Sequence, residues 1–263
     1  EDQEFNAFRK LIYDIAGINL SPRKKTLVGA RLAKRLRHFR LKSYIEYFDL
    51  INNESYQSEM QIMVNLLTTN ETYFFREKNH FQFIKKNILP DITNIQNFRV
   101  WSAASSTGEE AYSIAMLLDD QLKGRSWEVL ASDISTKVLE VGRKGHYSMQ
   151  RIEGIPENYL KQYCLKGFGE QDGTMLVIED LRRRIEFQQV NLKDELPNLG
   201  GGFDLIFLRN LLIYFDKQTK QKIVNRVVNL LKPGGYFFIG YSETLEGVCE
   251  ELHPCAHTVY KKS

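Results

Sequence analysis

The sequence predicts an α/β fold whose parallel, doubly wound sheet follows an all-helical N-terminal segment. Apolar residues recur at helical spacing over roughly the first 75 residues, and from about residue 97 short apolar runs alternate with helical stretches. Such alternation is typical of a parallel sheet covered by helices on both faces. A third feature, the Gly-rich stretch within 145–183, interrupts the alternation and predicts a small antiparallel insertion. The alternative for that stretch is a long connection with incidental hairpins.

These patterns divide the chain into four predicted parts: a helical domain at 1–75, a linker helix at 76–96, an α/β domain at 97–263 and the insertion at 145–183. In the helical part, apolar positions from Phe5 to Ile15 predict the first helix. Ser21 followed by Pro22 predicts an N-cap and first helical position, and this second helix places Val28 and Leu32 on one face. Shorter helices are expected at 43–52 and 55–67.

In the α/β part, short apolar runs predict six strands: Phe98–Ser102, Trp127–Ser132, Arg184–Gln189, Phe203–Leu208, Gly235–Tyr241 and a last one near His257–Tyr260. The helices expected between them are Glu109–Leu122, Thr136–Lys144 and Gln218–Leu231. The insertion should contain a polar helix at Glu157–Cys164 and a short strand at Met175–Glu179.

Composition excludes several classes of protein. The chain of 263 residues is 43% hydrophobic and 26% charged, which is ordinary for a globular protein and argues against disorder. The three cysteines lack metal-ligand spacing, which predicts reduced thiols in the cytoplasm. No apolar run approaches the ~20 residues of a membrane span, and no signal-peptide pattern opens the chain, so we expect no membrane insertion. P-loop, H-E-x-x-H and G-x-S-x-G motifs are absent, and no metal site is predicted.

Positive charge is concentrated in one segment, although the net charge of +3 is too small to argue for nucleic acid. Nine basic residues and no acidic one lie between Pro22 and Ile45. On a helix, five of them would cover a broad arc opposite the apolar face: Lys24, Arg31, Lys34, Arg35 and Arg37. We interpret this arc as a binding face for an acidic partner, with a merely solvated face as the alternative.

Small residues follow the first predicted strand, in the stretch Trp101–Glu110. They allow the backbone to approach a ligand, and the next helix offers free amide hydrogens. The G-x-G-x-x-G fingerprint is missing, and the carboxylates of Glu109 and Glu110 suit ribose hydroxyls or an ammonium better than a pyrophosphate. Asp133, at the end of the second strand, is a candidate acceptor for ribose hydroxyls. As alternatives to ligand contacts, Glu109 and Glu110 would complement the helix dipole, and Asp133 would cap the helix that follows it.

Polar residues also follow two later strands. Asn191, with Leu192 beside it, is either an adenine contact or a turn former. Arg209 and Asn210 should reach the crevice at the carboxyl edge of the sheet. Tyr214 lies one turn further on, where core packing is the alternative.

Five stretches together resemble the chemotaxis receptor methyltransferase (CheR) family: Leu67–Glu77, Val100–Ser113, Ala131–Ser135, Phe207–Asp216 and Leu231–Gly235. They occur in the family's order and extend over nearly the whole chain. The departures are small, with Ala111 where Pro is common and Leu208 where Cys is common. The resemblance implies a helical domain joined to a Rossmann-like methyltransferase domain that carries a small β-subdomain.

The resemblance also implies a function. It is the methylation of glutamate side chains in the cytoplasmic helical domains of chemoreceptors, with S-adenosylmethionine as cofactor and S-adenosylhomocysteine as product, by a monomeric cytoplasmic enzyme. Implied cofactor contacts are Asn70, Thr72, Arg76, Glu110 (or Glu109), Asp133, Asn191, Leu192, Arg209 and Asn210. Tyr214 is implied near the transferred methyl, and the basic helix and the β-subdomain at the receptor. As a second catalytic residue, we expect Arg76 to orient a carboxylate, either the cofactor's or the substrate's.

Two other functions are compatible with parts of this pattern. The chain could be a non-catalytic, cofactor-binding adaptor, against which the intact motif positions argue. It could instead be a nucleic acid methyltransferase, as the basic segment suggests. The N/D-P-P-Y/F signature that is common in amino methyltransferases is absent, however, and Arg209-Asn-Leu-Leu stands near its place. We therefore expect no nucleic acid partner.

Overall fold

Helices come first along the chain, and strands alternate with helices after them. The structure, a computed structural model, describes residues 2–92 and 97–263. Its α-helices are α1 (Asp2–Ala16), α2 (Lys25–Phe39), α3 (Tyr44–Ile51), α4 (Gln57–Leu67), α5 (Lys78–Phe83), α6 (Glu109–Gln121), α7 (Thr136–Lys144), α8 (Glu157–Tyr163), α9 (Glu179–Arg182) and α10 (Lys217–Val228). Its strands are β1 (Asn97–Ser102), β2 (Ser126–Asp133), β3 (His146–Ser148), β4 (Cys164–Lys166), β5 (Thr174–Val177), β6 (Ile185–Gln189), β7 (Phe203–Phe207), β8 (Leu231–Phe238), β9 (Leu252–Ala256) and β10 (Val259–Lys262).

The helices α1 to α4 enclose a core of their own, which includes the buried side chains of Phe8, Ile12, Leu32 and Met63. The predicted start of the second helix is partly confirmed. Ser21 and Pro22 are the N-cap and first residue of a 3₁₀ turn, Pro22–Lys24, which runs directly into α2 at Lys25, but the Ser21 side chain makes no capping hydrogen bond.

One carboxylate lies inside this helical core. Glu59 of α4 accepts two hydrogen bonds from the Arg35 guanidinium, both at 2.6 Å, and a third from the Tyr47 hydroxyl at 2.7 Å. The Glu59 side chain is only 4% exposed, so its charge depends on these partners. This network joins α2, α3 and α4.

The main sheet has the strand order β6-β2-β1-β7-β8-β10-β9. The first five of these strands are parallel to one another, and β10 is antiparallel to both of its neighbours. Side chains alternate between the two faces: Val100 packs in a core with α6, and Trp101 packs in a second core with α10. The predicted doubly wound fold is therefore confirmed. Strand order reverses between β1 and β7, which is where such sheets bind ligands.

The C-terminal end of the sheet differs from the prediction. One strand was expected near His257–Tyr260, but a hairpin of β9 and β10 occupies this edge, with Thr258 in its turn at a φ of +57°. The predicted linker helix is also irregular, because α5 continues as a π-helical segment, Ile84–Ile88, and a 3₁₀ turn, Leu89–Asp91. Residues 1 and 93–96 of the predicted parts lie outside the described residues, and the predicted domain boundaries stay predictions.

The insertion forms a three-stranded antiparallel sheet of order β3-β5-β4, as the sequence predicts. Tyr147 and Met175 anchor it in the core beneath α6. The Tyr147 hydroxyl donates to the carbonyl of Thr107 at 2.7 Å, which ties the insertion to the turn after β1. At the far side Phe168 is 87% exposed.

None of the helices in the described part of the chain combines the length and the apolar character that a transmembrane span requires.

The carboxylate network predicts the response of the helical core to substitution. Glu59→Ala should lower the free energy of unfolding in urea by about 3 kcal/mol, because it leaves a largely buried guanidinium without its counter-charge. Asp14→Ala, which removes the exposed pair with Lys10 on α1, is the control and should cost less than about 1 kcal/mol. Equal effects of the two substitutions would show that the network contributes no more than a surface pair.

Candidate functional site

A cavity lies at the carboxyl ends of β1, β2 and β7, between the sheet and helix α2. All nine predicted cofactor contacts line it, together with Tyr214. Two of the predicted receptor-binding cations, Lys24 and Arg31, also line it. The structure thus brings together residues that are up to 190 positions apart in the sequence.

The turn after β1 forms one wall of the cavity. It is held by backbone hydrogen bonds from Ser105 N to the Ser132 carbonyl at 2.8 Å and from Gly108 N to the Ser105 carbonyl at 3.0 Å. Gly108 has a φ of +95°, and a Cβ added to it would lie 2.9 Å from the Cα of Gly142. The small residues of this stretch are therefore required by close backbone packing, which also opens the space in front of them.

The Asp133 carboxylate is bound by backbone amides. It accepts from Ser106 N at 3.0 Å and from Ser135 N at 2.9 Å. Burial raises the pKa of Asp133 to about 6. The bond to Ser135 N closes a turn that precedes α7, whose N-cap residue is Ser135, so Asp133 is not the helix cap of the alternative interpretation, and its carboxylate lines the cavity.

The two acids at the start of α6 face different surroundings. Glu110 lines the cavity and accepts from Ser102 Oγ and from Arg209 Nε, each at 2.6 Å. Glu109 is fully buried behind it and lies 2.9 Å from an Arg151 nitrogen of the insertion. Burial raises the pKa of Glu109. Of the two acids, only Glu110 lines the cavity.

Arg209 extends from the end of β7 into a buried polar cluster. Besides Glu110, it donates through Nη1 to the Arg76 carbonyl at 2.8 Å, to His80 Nδ1 at 3.0 Å and to Glu77 at 3.3 Å. Its side chain is only 2% exposed. One guanidinium therefore connects β7, α6 and the segment before α5.

Asn210 takes a left-handed conformation, with a φ of +57°. Its Nδ2 donates to Glu77 at 3.1 Å, and its backbone N donates to Glu243 at 2.9 Å. A Cβ on Gly240 would lie 2.3 Å from that amide group, so a glycine is needed there. Sequence reasoning missed Glu77, His80 and Glu243, which do not line the cavity but bind Arg209 and Asn210 from behind it. Of these three residues, only Glu77 lies in one of the family-like stretches, Leu67–Glu77, where it directly follows Arg76.

Arg76 is a cation of the cavity that few contacts hold to the protein. Its Nη1 donates to the Glu71 carbonyl at 2.8 Å, and its guanidinium lies 5.8 Å from the centre of the Tyr73 ring. Within residues 2–92 and 97–263 it forms no ion pair with a carboxylate. Its charge is therefore available to an anion in the cavity.

Asn191 has the contacts of a turn former. Its Oδ1 accepts from Lys193 N at 3.2 Å, and its Nδ2 donates to the Ile15 carbonyl of α1 at 2.7 Å. It still lines the cavity, where Leu192 and Val190 give an apolar wall. Tyr214 is half-buried at the same cavity, and its backbone carbonyl accepts from Asn19 N at 2.9 Å.

The five predicted receptor-binding cations do not share one open face. Arg35 is taken up by the ion pair with Glu59, so its assignment to the outward arc is wrong. Arg31 lines the cavity, and it donates to the carbonyls of Leu67 and Thr68 at 3.2 and 3.0 Å. Lys34 and Arg37 are exposed. The basic surface of α2 thus continues into the cavity.

The residues of the cavity fit S-adenosylmethionine. Asp133 and Glu110 are acceptors suited to ribose hydroxyls and an ammonium, Arg76 suits a carboxylate, and Val190 and Leu192 suit an adenine ring. In the parts of the chain that are described, no group of His, Cys, Asp or Glu has the arrangement of a metal site.

Comparison with known proteins agrees with this geometry. The all-α domain of the CheR methyltransferases matches residues 3–68, and the SAM-binding domain of the CheR methyltransferases matches residues 70–261. The chain is 41% identical over 265 residues to a chemotaxis protein methyltransferase of Salmonella typhimurium, covering 100% of this chain and 91% of that protein. It is 40% identical over 260 residues to chemotaxis protein methyltransferase 2 of Pseudomonas aeruginosa, covering 98% and 92%. The chain therefore belongs to the CheR family of S-adenosylmethionine-dependent methyltransferases.

Proposed function

We propose that this enzyme methylates glutamate side chains in the cytoplasmic helical domains of bacterial chemoreceptors, in the cytoplasm, for adaptation in chemotaxis. The observation that carries the proposal is the cavity itself. It joins the acceptors Glu110 and Asp133 and the cations Arg76, Lys24 and Arg31 in a chain whose relatives are named chemotaxis protein methyltransferases. An acidic protein substrate and a cofactor of mixed charge suit these groups.

The cofactor would be held by residues that face each other across the cavity. Asp133 would accept from the ribose hydroxyls, and Val190 and Leu192 would contact the adenine ring. Glu110 and Arg209 would bind the methionine end, with Asn70 and Thr72 beside them. When bound, S-adenosylmethionine supplies a sulfonium methyl group for transfer to a carboxylate oxygen, leaving S-adenosylhomocysteine and a glutamate methyl ester.

The protein's own contribution is binding and orientation. A glutamate carboxylate has a pKa of ~4.3 and is already ionised at neutral pH, so no general base is required. Arg76 would orient this carboxylate through its guanidinium, and Tyr214 would border the reacting groups. The negative carboxylate and the positive sulfonium neutralise each other during transfer. A tight ion pair between the substrate carboxylate and a protein cation would therefore stabilise the ground state and slow the reaction.

The basic surface of α2 supplies the complement for an acidic receptor helix. Lys34 and Arg37 are exposed on it, and Lys24 and Arg31 continue it to the cavity. Exposed ion pairs each contribute only ~0.2–1 kcal/mol, so recognition requires several of them together.

A methyl-transfer assay with labelled S-adenosylmethionine tests the proposal. Chemoreceptor cytoplasmic domains, DNA and RNA are offered separately as substrates. We expect label only in the receptor, in a form released as methanol by mild base, since esters hydrolyse there and methylamines do not. Label in nucleic acid, or base-stable label in the receptor, would contradict the proposed substrate.

The raised pKa of Asp133 makes cofactor binding depend on pH. Burial raises that pKa from 3.8 to about 6, so the carboxylate is protonated below pH 6 and becomes a weaker acceptor. Affinity for S-adenosylmethionine, measured by calorimetry, should be constant above pH 7 and fall as the pH drops through 6. Asp133→Ala should weaken binding by about 1–3 kcal/mol at pH 8 and remove this pH dependence.

Glu128→Ala is the control, because Glu128 lies on the same strand but at the surface, paired with Arg99. It should bind the cofactor like the wild type. Unchanged affinity in folded Asp133→Ala would exclude Asp133 as a cofactor contact.

Arg76→Ala should nearly abolish methyl transfer while leaving the fold intact, because few contacts hold this side chain to the protein. Lys78→Ala, which removes an exposed cation two residues further on, is the control and should retain full activity. The measurements are initial rate and melting temperature. Wild-type turnover by Arg76→Ala would exclude Arg76 from the active site.

Reversing two exposed charges of α2 tests receptor recognition. The double variant Lys34→Glu/Arg37→Glu should raise the KM for receptor at low salt and leave the affinity for the cofactor unchanged, because neither residue lines the cavity. Wild-type activity should fall as salt rises, since the Debye length shortens to ~3 Å at 1 M. Lys217→Glu/Lys222→Glu on α10 makes the same change in net charge and should leave the KM unchanged. Equal KM values for both double variants would mean that the receptor docks elsewhere.

A further inference from the structure

His80 of α5 lies directly behind Arg209 and is 1% exposed. It does not line the cavity and has no role in the reaction proposed above. Its Nδ1 is 3.0 Å from Arg209 Nη1, and its Nε2 is 2.8 Å from Thr258 Oγ1. The rings of Phe238 and Tyr241 pack against the imidazole, with centroids 5.4 and 5.2 Å away. The imidazole is therefore held on all sides.

These contacts define the protonation of the imidazole. A guanidinium can only donate hydrogen bonds, so Nδ1 must carry a lone pair. The Thr258 hydroxyl donates its one hydrogen to the His257 carbonyl at 2.7 Å, so it must accept from Nε2–H. The Glu77 carboxylate lies 3.6 Å from Nδ1, beyond hydrogen-bond distance. His80 is accordingly neutral, with its proton on Nε2.

The charged and titratable groups that face His80 are Glu77, Arg209, Tyr241 and His257. Burial, followed by electrostatic interactions with Arg209 and His257, lowers the pKa of His80 to about 3. The imidazole therefore remains an acceptor for Arg209 throughout the neutral range.

The contacts of Arg209 leave one nitrogen without a protein partner. Its Nε donates to Glu110, and its Nη1 donates to the Arg76 carbonyl, to His80 and to Glu77. Nη2 has no hydrogen-bond partner among the described residues, and Arg209 lines the cavity. An acceptor at Nδ1 of His80 therefore fixes the guanidinium in the orientation that leaves Nη2 for a ligand.

We propose that His80 is a positioning residue for cofactor binding, which acts by accepting a hydrogen bond from Arg209 and fixing the guanidinium beside Glu110. This inference rests on the proposed role of Arg209 as a cofactor contact. It also gives the C-terminal hairpin a function, because Thr258 in the turn between β9 and β10 fixes the other nitrogen of the imidazole.

Three substitutions separate positioning from packing. His80→Asn places an amide oxygen near the position of Nδ1, where it can accept from Arg209. His80→Gln places its amide near Nε2, beside Thr258, and His80→Phe keeps only a ring. We expect the Phe and Gln variants to bind S-adenosylmethionine roughly tenfold more weakly, because a hydrogen bond to a charged group is lost. The Asn variant should lie within about threefold of the wild type, and the KM for receptor should not change in any of them.

The pattern across the variants decides the outcome. If the Asn variant loses as much affinity as the Phe variant, or if all three bind like the wild type, His80 is not a positioning residue. Asp133→Ala, measured in parallel, separates this failure from failure of the proposed function, because its affinity loss does not depend on Arg209. Melting temperatures of the three variants show whether affinity follows stability, which would also overturn the proposal.

Nuclear magnetic resonance tests the protonation of His80 in the wild-type protein, with its histidines labelled with ¹⁵N. The His80 signal is identified among those of the five histidines by its absence from the spectrum of His80→Asn. The ¹⁵N shifts of His80 should report a proton on Nε2 and no titration between pH 5 and 8. A proton on Nδ1, or titration near pH 6.5, would contradict the inferred hydrogen bond from Arg209.

Discussion

The ion pair between Arg209 and Glu110 is the interaction on which the candidate site depends. It joins the end of β7 to the first turn of α6 at 2.6 Å, and both side chains are at least nine-tenths buried. A buried guanidinium is costly unless it is paired and its donors are satisfied. The Arg76 carbonyl and His80 supply further acceptors, so the segment before α5 is fixed relative to the sheet by the same group.

The reversal of strand order between β1 and β7 places this pair where a ligand can reach it. The carboxyl ends of both strands open on the same side, and the turn after β1 is kept small by the contact between Gly108 and Gly142. Helix α2 and the segment carrying Arg76 cover the opening from the helical part. The polar residues of the cavity thus face one another because of the sheet topology, although they come from distant parts of the chain.

Much of this arrangement could be predicted from the sequence. Short apolar runs gave the parallel strands, and Asp133 and Arg209 could be placed because each directly follows a strand. The edge hairpin was missed because β9, which includes His253 and Pro254, is largely exposed and lacks apolar alternation. The pairing of Arg35 with Glu59 and of His80 with Arg209 could not be found either. Helical periodicity identifies a face, but not the residue of a distant element that packs against it.

A double-mutant cycle on the central ion pair tests the account most directly. The free energy of S-adenosylmethionine binding is measured by calorimetry for the wild type, Glu110→Gln, Arg209→Gln and the double variant. If the pair organises the site, each single substitution weakens binding, and the double variant binds no more weakly than the worse single one. Additive losses, with a coupling energy near zero, would mean that the two residues bind the cofactor independently and that the ion pair does not organise the site.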